Sequence, residues 1–211
     1  MKSKKIYIIR HGQTDYNKMN MVQGRGINSS LNEHGRQQAE LFYHAYKDVD
    51  FDKIYTSSLK RTQESVAGFI GDNIPFEKLK GLDEISWGDH EGQAFDPEMH
   101  QKYLKCIEQW QSGNVDAAVS GGESPNTVKA RQQMAIDYIL SNDNEETVLI
   151  CSHGRAMRIL VCWLLEKPLH EMEAFKHQNL GLYLLNYQDG KFSLVERNNV
   201  DHMAELESSN S

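Results

Sequence analysis

Apolar residues come in short bursts in this chain, and the spacing inside each burst separates strands from helices. Ile6-Tyr7-Ile8-Ile9 is a continuous apolar run that predicts a strand over residues 5–9. Residues 14–32 show no periodicity and read as a polar, glycine-containing loop. From Glu33 onward, Ala39, Phe42, Tyr43 and Tyr46 recur at helical intervals. Residues 51–55 predict a second strand running into Thr56-Ser57-Ser58, where Ser57 or Ser58 is placed to cap a helix through Phe69. Residues 79–84 read as a further short strand or strand edge. Tyr103, Ile107 and Trp110 share one face of a predicted helix over residues 98–112. Gly121-Gly122 breaks the chain before another helix at about residues 124–141, with Ser124 as its cap. A compact strand over residues 148–151 leads through His153-Gly154 into a helix bearing Ile159, Leu160, Trp163 and Leu164. Residues 181–186 and 192–196 are late strands around the turn Asp189-Gly190. Strands alternating with helices predict an α/β fold: a three-layer α/β/α sandwich with a mainly parallel central sheet.

Composition narrows this picture. A chain of 211 residues with 39% hydrophobic and 25% charged residues supports a substantial core. One domain over residues 1–206 is expected, with a short helical excursion at about 93–121 and a frayed tail at 207–211. A net charge of -7 argues against nucleic acid and anionic membranes as partners, so any anion site must be a local basic pocket. No apolar stretch reaches the roughly 20 residues of a membrane span. Met1-Lys2-Ser3-Lys4-Lys5 resembles the start of a signal peptide, but the apolar run after it ends too soon, at Arg10. Cys106, Cys151 and Cys162 are odd in number and widely spaced, which fits buried, reduced thiols and a cytoplasmic protein. No Cys/His set has metal-ligand spacing, so no metal and no cofactor are expected.

Two segments share one grammar, an apolar strand followed by a His-Gly step: Tyr7 to Gly12 and Leu149 to Gly154. If both strands are parallel members of one sheet, both histidines emerge at its C-terminal edge, where ligands bind in open α/β sheets. Arg10 adds a cation beside His11, and Arg61 falls in the first turn of the helix after the second strand. The helix opened by Gly154 offers N–H groups that favour phosphate. Each residue alone has an ordinary reading, as a cap, a solvated helix residue or a charged loop residue. Their joint occurrence after predicted strands points to a shared anion site.

With these motifs the chain resembles the histidine phosphatase superfamily, in its phosphoglycerate-mutase-like branch. The resemblance runs through Arg10-His11-Gly12-Gln13-Thr14 with Asn17, Gln23-Gly24-Arg25, and Leu31 to Gly35. It continues through Ser57-Ser58-Leu59-Lys60-Arg61-Thr62, Glu84, Gly88, Glu91-Gly92, Gly121-Gly122-Glu123-Ser124 and Ser152-His153-Gly154. It spans about residues 5–165, and the motif set is specific where the Arg-His-Gly step alone is not.

The resemblance implies a role for each residue. His11 would attack phosphorus in line and become phosphohistidine. Arg10, Arg61 and His153 would hold the non-bridging oxygens, a task suited to the planar guanidinium fork. Glu84 would protonate the leaving oxygen and then activate water; Asp83, Asp89 and Glu91 are rival acids nearby. Asn17, Gln23, Gly24 and Gly154 would line the phosphate or substrate pocket. The resemblance also makes a homodimer a reasonable assembly. The loop Gly26 to Asn32 departs from the usual family pattern at the pocket rim. Three functions compete: a metal-independent phosphomonoester hydrolase acting on a small phosphorylated metabolite, a phosphoglycerate mutase, and a non-catalytic phospho-ligand binding module. The short excursion at about 93–121 favours hydrolysis, and the presence of all five core residues disfavours the binding module.

Overall fold

The computed structural model describes residues 3–93 and 96–204. Six strands form one sheet: β1 (Ser3–Arg10), β2 (Lys53–Thr56), β3 (Phe76–Lys78), β4 (Thr147–Ser152), β5 (Leu182–Gln188) and β6 (Lys191–Asn199). Their order is β3-β2-β4-β1-β5-β6. The first four are parallel to one another, and β5 and β6 extend the sheet in antiparallel pairings. The sheet is therefore mixed and mostly parallel. The expected tail at 207–211 lies outside the described residues.

The alternation of strand side chains sorts the core onto two faces. Ile6, Ile8, Tyr55, Val148 and Ile150 face one apolar cluster; Ile9, Ile54, Leu149 and Cys151 face the other. The first cluster takes apolar residues from α5 (Pro97–Gln111), α6 (Pro125–Ser141) and α7 (Gly154–Leu164). The second takes Phe42 from α2 (Glu33–Tyr46) and Phe69 from α4 (Ala67–Gly71). This is the expected three-layer arrangement. Cys106, Cys151 and Cys162 are all free and buried, and burial raises the pKa of each.

Four local expectations differ from the structure. The polar stretch after His11 contains one turn of helix, α1 (Asp15–Lys18), closed by a reciprocal Thr14–Asn17 capping box. The helix expected through Phe69 is split at Val66 into α3 (Lys60–Ser65) and α4. Ser65 Oγ donates to the Arg61 carbonyl at 2.6 Å, a back-bond that weakens the helical ladder there. Neither Ser57 nor Ser58 caps α3, whose N-cap is Leu59. Ser57 Oγ instead accepts from Leu59 N, and the Ser58 hydroxyl goes to Asp83.

The strand expected over residues 79–84 lies earlier, at β3, and Lys80–Leu82 is a 3-10 turn. The missing strand partner is replaced by Arg131 of α6. Its guanidinium donates to the carbonyls of Gly81, Asp83 and Glu84 at 2.8 to 3.0 Å.

The helix layer meets the His11 loop backbone to backbone. A Cβ on Gly35 would lie 2.1 Å from the Gln13 carbonyl oxygen, and one on Gly12 would lie 2.6 Å from the Gly35 oxygen. Gly35→Ala must push α2 away from the loop that carries His11. We expect a loss of about 1–3 kcal/mol in denaturant unfolding together with reduced turnover. Unchanged turnover would show that α2 does not position the loop.

Candidate active site

Strand pairing brings the two His-Gly steps together. Arg10 of β1 lies opposite Ser152 of β4, and His11 N donates to Ser152 O at 3.0 Å. The His11 and His153 rings are 5.1 Å apart, centroid to centroid. Both residues are buried.

The hydrogen bonds assign the tautomers. His11 Nδ1 is 2.7 Å from the Gly12 carbonyl, which can only accept, so Nδ1 carries the hydrogen. Nε2 of the neutral ring then keeps its lone pair. Arg61 Nε donates to His153 Nδ1 at 3.1 Å, so the neutral His153 ring carries its hydrogen on Nε2 and donates to Ser57 Oγ at 2.8 Å. Ser57 Oγ also accepts from Leu59 N, so its own hydrogen goes to Thr62 Oγ1 at 2.9 Å. Arg61 is fully buried, with its terminal nitrogens donating to Ile27 O and Gly24 O. Three of its five N–H groups are engaged in this way and two remain.

Electrostatics keep the rings neutral. Burial, reinforced by Arg61 and Arg10, holds the His11 pKa well below the ordinary histidine range. Burial and then Arg61 do the same to His153. Burial lowers Arg10 and Arg61 to about 10, so both remain cations at neutral pH. His177 is pushed down to about 2 by burial and by Arg10 and Arg158. The unfolded chain takes up protons on these rings near pH 6.5 and the folded chain does not. Their contribution is therefore complete above about pH 6.5 and is lost as pH falls, at up to about 1.4 kcal/mol per ring per pH unit. The thermal midpoint is expected to drop between about pH 7 and pH 5, and to drop less in His177→Gln. An equal drop in that variant would assign the loss to other groups.

Glu84 sits on the start of α7. Its Oε1 accepts from Ala156 N at 2.8 Å and Ile85 N at 2.9 Å, and its Oε2 accepts from Arg155 N at 3.1 Å. The helix N-terminus expected to take phosphate thus presents two of its N–H groups to a carboxylate of the protein. Two of the rival acids are committed elsewhere. Asp83 binds Ser58, and Glu91 accepts from Gly26 N and Trp87 N.

A cavity of about 250 Å³ opens at this edge of the sheet. Of the residues singled out in the sequence, Arg10, His11, Asn17, Gln23, Glu84 and Gly154 line it. Arg61, His153 and Gly24 are not part of that wall: Arg61 is bonded to His153, whose ring lies 5.1 Å from that of His11, and Gly24 packs against Glu91, which a Cβ would meet at 2.1 Å. Gln23 Nε2 donates to Thr14 Oγ1, and Asn17 Oδ1 accepts from Thr14 N. The wall also contains Arg155, Arg158 and His177, which sequence reasoning missed. Arg155 and Arg158 are three residues apart at the start of α7, a spacing that places both on one helical face. That was a readable signal; His177 carried none. Asn179 was also missed, and its Nδ2 donates to His11 O at 2.8 Å.

The arrangement combines an imidazole nitrogen with a free lone pair, a carboxyl group held by backbone N–H donors, and a cationic surround. These are the parts needed to move a group from an anionic ester onto nitrogen.

The chain is similar to known proteins along most of its length. Over 203 residues the chain is 25% identical to phosphoserine phosphatase 1 of Hydrogenobacter thermophilus, covering 96% of this chain and 95% of that protein. Over 190 residues it is 28% identical to an Erwinia tasmaniensis protein named "Probable phosphoglycerate mutase GpmB", covering 87% and 85%. The solved structure of Bacillus stearothermophilus YhfR superposes with a TM-score of 0.86 at 28% identity, covering 95% of this chain and 99% of that one. The profile of the histidine phosphatase superfamily, branch 1, matches residues 6–200, and the chain belongs to that superfamily.

Proposed function

We propose that the protein is a phosphomonoester hydrolase that works through a phosphohistidine. The reading rests above all on the His11 ring, whose Nδ1–H is bound to the Gly12 carbonyl so that Nε2 is unprotonated. In the first step His11 Nε2 bonds to phosphorus as the bond from phosphorus to the alcohol oxygen breaks, and Glu84 gives that oxygen a proton. In the second step water attacks the phosphohistidine, Glu84 takes back a proton, and phosphate leaves with the free ring restored. Arg10 supplies charge at the cavity wall, and the two uncommitted Arg61 N–H donors are available to the transferring oxygens, while His153, engaged at both ring nitrogens, orients Arg61. Asn17, Gln23 and Gly154 border the phosphoryl position, while Gly24 serves by letting Glu91 approach closely. The guanidinium groups do the electrostatic work, so the reading predicts turnover without added metal.

The similarity to a protein named as a phosphoglycerate mutase supports a second reading, in which a hydroxyl takes the phosphoryl group from His11 in place of water. The shortness of the segment between Gln93 and Gly121, largely the single helix α5, favours hydrolysis. A phosphate-release screen over metabolite phosphoesters in chelator-treated buffer separates the two. Free phosphate from several esters supports hydrolysis. Isomerised product that requires a bisphosphoglycerate primer, with no phosphate released, supports the mutase.

A further inference from the structure

A second cavity, of about 410 Å³, adjoins the catalytic one and shares Val22 and Tyr103 with it. Together they have the size of sites that enclose a drug-sized molecule, roughly 300–1,000 Å³, and exceed what a phosphoryl group on a short alcohol would fill. The added wall is rich in flexible apolar side chains: Met19, Met21 and Met99 line it with Tyr103. Among its described lining residues the one formal charge is negative, that of Asp96, which caps α5 by accepting from Met99 N at 2.7 Å.

His90 is also on this wall and is buried. Its Nε2 lies 3.0 Å from the Met99 carbonyl, so the neutral ring carries its hydrogen there and presents Nδ1 as an acceptor. Nδ1 is buried and has no hydrogen-bond partner among the described residues, which is costly unless a donor arrives. In the catalytic cavity, Arg155 and Arg158 each engage one oxygen of Glu173. The two arginines best placed for a second acidic group of a substrate already face the protein's own carboxylate.

We propose that the alcohol portion of the substrate is bulky and mainly apolar, carries no second acidic group, and lies in the methionine-lined cavity with a hydroxyl or N–H donor directed at His90 Nδ1. This rests on the hydrolase reading for the chemistry but not for the binding, and the two are tested by separate measurements. Calorimetric binding of phenylpropylphosphonate is compared with that of the phosphonate analogue of phosphoserine, neither of which can be hydrolysed. The aryl compound is expected to bind at least about tenfold tighter. Met21→Trp, which fills the cavity, should remove that advantage while leaving the phosphoserine analogue unaffected. Glu173→Gln should improve binding of the phosphoserine analogue several-fold by releasing Arg155 and Arg158. Tighter binding of the phosphoserine analogue to the unmodified protein, or an equal effect of Met21→Trp on both compounds, would overturn the proposal. Phosphate release from phenylpropyl phosphate and phosphoserine is measured in parallel. Its absence from both, with the binding preference intact, would remove the hydrolase reading and leave the cavity assignment standing.

Discussion

His11→Ala is expected to abolish turnover and phosphoenzyme labelling together, with a loss on the order of 10⁴-fold or more. The size follows from what the ring supplies. Without it, water must attack the phosphate monoester directly, and the path through an N–P bond is closed. Incubation with a labelled phosphoester should give acid-labile, alkali-stable label on the unmodified protein and none on the variant. The ring bonds the neighbouring Gly12 carbonyl, and the backbone bond from His11 N to Ser152 O does not depend on the side chain. The variant should therefore keep the sheet, and its far-ultraviolet circular dichroism and cooperative melting distinguish a chemical loss from unfolding. Undiminished turnover in the folded variant would reject His11 as the nucleophile.

Glu84→Gln is expected to slow turnover about 10²- to 10⁴-fold for alkyl esters and much less for nitrophenyl esters, whose leaving group needs no proton. The structure adds a second effect to this substitution. One of the two oxygens that accept from Ile85, Arg155 and Ala156 becomes an NH₂ group, which cannot accept. A buried backbone donor at the start of α7 is then left unpaired, costing about 1–3 kcal/mol. Kinetics must be read well below the lowered melting temperature. Equal losses for alkyl and nitrophenyl esters, with chemistry limiting both, would count against proton donation by Glu84.

What could be read from the residues divides along physical lines. The strand before each His-Gly step is a local pattern, because an apolar run followed by glycine needs no distant partner to be recognised. With β1 and β4 as parallel neighbours, the meeting of His11 and His153 follows. Ser124 as the cap of α6 was equally local. Glu84 was different. Its loop has no periodicity, and only the resemblance singled it out from Asp83, Asp89 and Glu91. What holds it in place, Arg131 on one side and the α7 N-terminus on the other, joins segments tens of residues apart and has no local signature. The displaced β3 strand has the same cause: Phe76-Glu77-Lys78 is short and exposed at the sheet edge, so no hydrophobic pattern marks it. The split between α3 and α4 came from Ser65, whose hydroxyl also accepts the Gly12 amide at 2.9 Å. A helix was interrupted where the His11 loop needed a partner.

The pairing of Arg10 with Ser152 also has a bearing on when the site can exist during synthesis. The first half of the centre leaves the ribosome early, while its neighbouring strand is still more than a hundred residues from being made. Until β4 emerges, β1 has neither its parallel neighbour nor, on the other side, the still later β5. Contacts of such long sequence separation form slowly. A nascent chain stalled before residue 147 should therefore carry an exposed apolar β1 and no activity, and should depend on chaperones for solubility. Function should appear only after the last third of the chain has been released.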